Sequence, residues 1–181
     1  MLVLGIDPGS QVMGYGLVER LARPRLVEAG TIKARAGQPL EARLAFLQAE
    51  FDLLLGQHPI EHAAIEHAFV RANVQAALVL GAARGIVLAS LARRRIPVVS
   101  LMVPALRARF TGRLSATKAD AAAAVGAALG IDTGGAPSDA TDALLLALGC
   151  ETGPLLVGRQ GKKPRQSFVR SQRMPSRQAR G

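Results

Sequence analysis

Four carboxylates in this chain occupy positions from which acids can do chemistry. Asp7 closes the short apolar run Leu2-Val3-Leu4-Gly5-Ile6 and is followed at once by Pro8-Gly9. A run of that length ending on a breaker reads as a strand, and an acid at its end is held on a rigid edge. There it can bind a metal ion or a metal-bound phosphate. Asp-Pro-Gly is also ordinary turn chemistry, so Asp7 alone decides nothing. Glu66 sits in a second apolar stretch, residues 62 to 69, where an ionised carboxylate is rarely left unpaired. Asp139 and Asp142 are three residues apart at the start of an apolar helical stretch, so they share one face. The helix dipole favours acids there by roughly 0.3 kcal/mol or somewhat more each. That accounts for one of them better than for two like charges side by side. Four oxygen ligands without a His/Cys cluster favour hard octahedral cations, Mg²⁺ or Mn²⁺. A pair of such ions roughly 4 Å apart suits phosphodiester hydrolysis, in which both the attacking and the leaving oxygen need stabilising.

The intervening sequence must bring these acids together. Residues 14–19 and 25–32 read as second and third strands, and the Arg23-Pro24 break between them predicts an antiparallel meander. Pro39 starts a helix whose Leu40, Leu44, Leu47, Phe51, Leu54 and Leu55 recur at helical spacing. Residues 62–69 form a buried-type strand. Residues 73–94 form a helix apolar on more than one side, which is either central to the core or shared with a second subunit. Residues 97–101 give a fifth strand and Pro104 to Arg109 a short helix. Ser115 is expected to cap the next helix, with Lys118 in its first turn, and Ser138 the last, which runs to Glu151. The order βββαβαβααα predicts an α/β fold, a five-stranded mixed sheet with helices on both faces. With the first and fourth strands parallel neighbours, Asp7 and Glu66 reach the same edge. The last helix can then bring Asp139 and Asp142 to face them.

Bulk properties narrow the partners. The 181 residues suit one domain with a sizeable core, and 49% hydrophobic content excludes disorder of the whole chain. The net charge of +10 points to a polyanionic partner. That charge is uneven. Residues 152–181 carry eight basic side chains and no acid, whereas residues 1–151 hold 15 basic against 13 acidic. A near-neutral domain over 1–151 with a basic, disordered tail over 152–181 is therefore expected. The single cysteine, Cys150, excludes an intramolecular disulfide and a multi-Cys zinc site. With no signal-peptide pattern and no long charge-free apolar span, a soluble cytoplasmic protein without a membrane partner is expected.

Several motifs together resemble one family. Gly5-Ile6-Asp7-Pro8-Gly9-Ser10, Gly14-Tyr15-Gly16, Ile65-Glu66-His67-Ala68-Phe69, Leu80-Gly81-Ala82-Ala83-Arg84-Gly85 and Asp139-Ala140-Thr141-Asp142-Ala143 match, in order and spacing, the RuvC family of Holliday-junction resolvases. The likeness covers roughly residues 1–150. It implies a ribonuclease H-like fold in which Asp7, Glu66, Asp139 and Asp142 bind two divalent ions, Mg²⁺ or Mn²⁺. In-line hydrolysis then leaves a 5′-phosphate and a 3′-hydroxyl, with no covalent enzyme intermediate. The resemblance also implies that Lys118 is a catalytic cation near the scissile phosphate, and that Arg107 stands where the family commonly has Lys. Phe69 is implied to stack on bases at the opened crossover, worth roughly 1–3 kcal/mol per base. Arg71, Asn73 and Arg113 are further candidate DNA contacts. The chain departs from the family at Gly112-Arg113-Leu114, where a second Gly is usual, and at Lys118-Ala119-Asp120-Ala121. Both departures fall near the expected DNA, so they bear on cut-site preference. His67 reads as a surface histidine, and His58 and His62 carry no signal.

A four-way junction needs two symmetric cuts, and the chain has one carboxylate set. A homodimer is therefore expected, with the apolar helix at 73–94 as its candidate interface. The resemblance also implies cooperation with the RuvA–RuvB branch-migration machinery in recombination and repair. Three readings compete with resolution. An ATPase or sugar kinase of the same broad superfold would need a second phosphate loop and a duplicated domain, for which 181 residues leave no room. A junction-binding protein without cleavage would not need all four acids. A ribonuclease H-like nuclease acting on RNA hybrids would be separated by its substrates.

Overall fold

A computed structural model describes residues 1–67 and 73–150. Phe69, Arg71, the boundary expected at 151 and the basic segment 152–181 lie outside the described residues. The elements are β1 (Leu2–Asp7), β2 (Val12–Glu19), β3 (Arg25–Lys33), α1 (Leu40–Gln57), β4 (His62–Glu66), α2 (Val74–Arg93), β5 (Val98–Leu101), α3 (Val103–Thr111), α4 (Lys118–Leu129) and α5 (Ser138–Gly149). Their order is the one the sequence predicts.

The five strands lie in the order β3-β2-β1-β4-β5. β1, β2 and β3 form the expected antiparallel meander. β4 runs parallel to both β1 and β5. Parallel neighbours need a crossover, and α1 and α2 supply the two that β4 requires. Alternation along the strands then sorts side chains between two cores. Leu4, Ile6, Met13, Leu17, Ala63 and Ile65 face α1 and α2, where Phe51, Leu54, Val87 and Leu91 cover them. Val3, Val18 and Ala64 face the other way, into a core built with α3, α4 and α5. Each fully buried Leu or Phe contributes roughly 1.5–3 kcal/mol. Asp7 follows Val3 and Gly5 at a spacing of two, so it shares the second face, as Glu66 does after Ala64.

α5 is the inner helix of that face, packed on β1, β2 and β4 and overlaid by α3 and α4. Every residue from Ala140 to Gly149 is buried. Three glycines let it lie directly on the strands. A Cβ on Gly5 would stand 1.8 Å from the Ala143 carbonyl oxygen, and one on Gly14 would stand 2.1 Å from that of Asp139. On Gly16 it would meet the Leu144 side chain at 2.7 Å. Gly5 pairs with Gly16, and Asp7 with Gly14, across β1 and β2. The glycines thus form one smooth patch beside Asp7.

The structure corrects local expectations at several element ends. Thr117, not Ser115, caps α4. Its hydroxyl accepts from the Asp120 N–H at 3.1 Å, and the Asp120 carboxylate accepts from the Thr117 N–H at 2.8 Å. Three residues beyond Ser115 stands the cation Lys118, which cannot close such a box. Ser138 is the first helical residue of α5 rather than its cap, because Pro137 holds the N-cap position. The Ser138 hydroxyl donates instead to the Asp139 carboxylate at 3.4 Å. α5 ends at Gly149, two residues before the expected end. β4 ends at Glu66, and the His67 N–H bonds on to β5, at the Leu101 carbonyl.

α2 is not central. Ala83, Val87, Ser90 and Leu91 are buried, while Val74 and Leu78 are about two-thirds exposed, at 69% and 64%. By length and composition α2 could cross a membrane. Its inner face packs against the sheet core and α1, and Arg84 in its middle bonds to the sheet, so it belongs to this domain.

Candidate active site

The parallel register that pairs Ile6 with Ile65 leaves Asp7 and Glu66 adjacent at the C-terminal edge of β1 and β4. Their carboxyls hydrogen-bond to each other. α5 carries Asp139 and Asp142 over the same edge because the glycine patch holds its first turn against β2. Burial, the Glu66 bond and charge, and the charges of Asp139 and Asp142 together push the Asp7 carboxyl up to about 8. Burial is the largest cause, and the charges of Glu66, Asp139 and Asp142 each add to it, so the four acids lie near one another at this edge. At neutral pH without a cation, Asp7 therefore retains its proton.

Asp142 is the most buried of the four, 7% exposed. Nη2 of Arg107, from α3, lies 2.7 Å from both of its carboxylate oxygens. Nζ of Lys118, the first residue of α4, is 3.8 Å from Oδ2. The chain reverses between these two cations through Gly112, whose φ of 70° is the left-handed conformation that glycine adopts without strain. Arg107 also keeps a buried Nε without a hydrogen-bond partner. A cavity of about 180 Å³ opens beside Lys118 and Asp142, walled by Ala119, Ala122, Ala136, Ser138 and Thr141.

The donor chemistry fits hard divalent cations: carboxylates only, in a cluster whose mutual repulsion a cation relieves. As the side chains stand, no three acids among the described residues are arranged to hold one ion. Asp7 is hydrogen-bonded to Glu66, and both oxygens of Asp142 are taken by Arg107.

The structure therefore gathers Asp7, Glu66, Asp139, Asp142, Arg107 and Lys118. Two other candidates lie outside the cluster's contacts. Asn73 caps α2, its side-chain oxygen accepting from the Ala76 N–H at 3.0 Å. Arg113 is exposed and pairs with Asp120 at 3.4 Å. His67 is exposed, as expected. His58, which carried no signal, lies with its Nε2 2.9 Å from Glu28, whose other oxygen accepts from the Tyr15 hydroxyl at 2.7 Å. Burial and that carboxylate push the Tyr15 phenol up to about 12. These side chains are on the opposite face of the sheet from the acids.

Sequence reasoning missed two parts of the site. One is the glycine patch, signalled by glycines alternating along β2 opposite Gly5. The other is Arg84, a charge inside an apolar helix, which implies a buried partner. Its Nη1 donates to the Glu66 backbone carbonyl and its Nη2 to Ser100 Oγ at 2.6 Å. Burial draws its guanidinium below its usual value, and the Glu66 charge opposes that shift.

Sheet order and helix placement define a ribonuclease H-like fold with its acids at one sheet edge. Yeast mitochondrial Holliday junction resolvase Ydc2 shares this fold, at a TM-score of 0.60 and 16% identity over 81% of this chain and 76% of that one. The model for the crossover junction endodeoxyribonuclease RuvC matches residues 3–150. Proteins of that description from Chlorobium chlorochromatii and Chloroflexus aggregans are 36% and 38% identical over 149 residues. Those spans cover 82% of this chain and 78% and 91% of the respective relatives. Thermus thermophilus RuvC, solved in complex with a Holliday junction substrate, superposes with a TM-score of 0.75 at 29% identity. That match covers 82% of this chain and 91% of the other. The chain belongs to the RuvC family of crossover junction endodeoxyribonucleases.

Proposed function

We propose that this protein resolves Holliday junctions, hydrolysing two symmetry-related phosphodiesters of a four-way DNA junction to leave 5′-phosphate and 3′-hydroxyl ends. The observation that carries this reading is the cluster itself. Acids from β1, β4 and α5 meet at one edge, with Arg107 and Lys118 both directed at Asp142.

Asp7, Glu66, Asp139 and Asp142 would hold Mg²⁺ or Mn²⁺, two ions per site by the likeness to the family. Bound divalent ions would supply charge neutralisation at the phosphodiester and activation of the hydrolytic water. The chain's own residues do the rest. To hold an ion, Asp7 would release its proton to solvent, and Asp142 would give up part of its contact with Arg107. Arg107 and Lys118 then face the substrate with positive charge, stabilising phosphate charge as it builds. The cavity beside Lys118 offers space for a phosphate group.

Two cuts require two sites, and the exposed apolar side of α2 suits a second copy of the chain. Phe69, Arg71, Asn73 and Arg113 remain the candidate DNA contacts. The basic segment 152–181 would add sequence-independent, salt-sensitive affinity. A cytoplasmic setting and cooperation with RuvA–RuvB complete the reading.

The test compares a synthetic four-way junction, plain duplex and an RNA–DNA hybrid with Mg²⁺ or Mn²⁺. Paired cuts confined to the junction are expected, and Asp7→Asn should abolish them while junction binding persists. Equal cutting of the hybrid, or binding without any cutting by the unaltered chain, would overturn the assignment.

A further inference from the structure

We infer that Arg84 is a positioning residue for the catalytic edge, setting where Glu66 stands by tying the end of β4 to β5. This rests on the resolvase reading and deepens it.

Glu66 is the last residue of β4. Just beyond it the chain is held to β5 by a backbone bond, from the His67 N–H to the Leu101 carbonyl at 2.8 Å. β1 ends at Asp7, so that strand does not extend further to steady the exit from its side. Arg84 supplies another tie. It reaches from α2, on the opposite face of the sheet from the acids, and bonds the Glu66 carbonyl and the Ser100 hydroxyl with separate nitrogens. Ser100 is on β5, paired with Ile65 in the β4–β5 register. One planar guanidinium therefore fixes two adjacent parallel strands at the point where a carboxylate must be placed. A guanidinium presents its donors in a rigid fork, which an ammonium cannot reproduce.

The side chain of Glu66 meets Asp7 on the other face. A small movement of its backbone shifts the carboxylate relative to Asp7 and the α5 acids, and misplacement by about 1 Å at such a site can cost on the order of 10²-fold in rate. Arg84 itself lies behind the strand and bonds backbone, so it does not take part in the chemistry. Its loss should therefore appear in ion binding and turnover rather than in junction affinity.

The experiment uses the full-length protein with Arg84→Met, Arg84→Lys and Ser100→Ala. Mn²⁺ binding is measured without DNA by electron paramagnetic resonance, and junction cleavage is resolved into kcat and KM. Arg84→Met is expected to weaken Mn²⁺ binding about fivefold or more and to lower kcat at least about tenfold, with KM within about twofold. Arg84→Lys should recover part of both effects. Ser100→Ala should move both in the same direction by a smaller factor, and it keeps the test open if Arg84→Met does not fold. Unchanged Mn²⁺ affinity and kcat in folded Arg84→Met would overturn the inference, as would unchanged values in both milder variants. A loss seen only in KM would do the same. The unaltered protein, run alongside, tests the resolvase reading separately: if it does not cut junctions, that reading fails first.

Discussion

Helices α5 and α2 are both rich in Ala and Leu, yet the fold treats them in opposite ways. α5 is 12 residues long and buried continuously from Ala140 to Gly149, between the sheet and two other helices. α2 has 20 residues and buries one side only, leaving Val74, Leu78 and Leu88 exposed. Glycines mark the contrast. Those beneath α5 are contact points where a methyl group would collide with the helix, whereas a methyl group placed on Gly81 or Gly85 of α2 would meet nothing within 4 Å. An apolar helix buried on all sides is a core helix, whereas one with a bare apolar side leaves that side open to solvent or to a partner. The first places the acids within a chain. The second is the surface proposed above for a second copy of the chain.

Gly5→Ala should break this contrast most severely, because its methyl group would enter the Ala143 carbonyl. Overpacking of this kind costs roughly 1–3 kcal/mol or more, and α5 must lift with both of its acids. Urea denaturation and junction cleavage should both register the loss. Gly85→Ala, in open space, should instead stabilise the helix by up to about 1 kcal/mol. Equal destabilisation by the two variants would erase the distinction between the helices.

Leu78→Glu should act on assembly alone. Leu78 is exposed, so monomer stability should stay within about 0.5 kcal/mol. Sedimentation should show dimer dissociation at concentrations where the unaltered chain remains paired. A persistent dimer would move the interface away from this side of α2.

The buried end of the comparison can be sharpened by pH. Asp7 has an ordinary value of 3.8 and stands at about 8 in the fold. Between those values the folded chain retains a proton that the unfolded chain has released. The resulting stability is full below about pH 4 and is lost as pH rises through about 8. Metal-free protein should therefore become easier to denature from about pH 5 to about pH 9. Mn²⁺ affinity should run the other way, falling by up to about tenfold per unit below about pH 8 because the ion must displace that proton. A flat Mn²⁺ profile would mean that Asp7 is not charged by ion binding.

The smallest effect is expected away from both the acids and the exposed side of α2. Tyr15→Phe removes the bond to Glu28 on the opposite face. It should cost about 1 kcal/mol in denaturation and leave cleavage unchanged.

Element order and the antiparallel meander could be read from the chain, because period-two and helical patterns are local. So could the four acids, whose residue types and flanking motifs survive without coordinates. The parallel pairing of β1 with β4, by contrast, joins residues about sixty apart and was only a condition for bringing Asp7 and Glu66 together. Helix caps could not be settled that way. Ser115 and Ser138 are good capping residues in isolation, but Thr117 has Asp120 three residues on, and Pro137 takes the other position. Nor could local pattern rank the helices, since α2 and α5 look equally apolar and their burial depends on what lies above them.

By itself, the sequence determined the order of the elements and which acids were candidates to hold divalent ions. Only the tertiary structure decided that α5 lies against bare glycine backbone, that Arg107 and Lys118 converge on Asp142, and that Arg84 steadies Glu66 from behind. The physical reason is range. Strand and helix propensities act over a few neighbouring residues, whereas close backbone approach and buried ion pairing join residues far apart in the chain and exist only once the layers have packed.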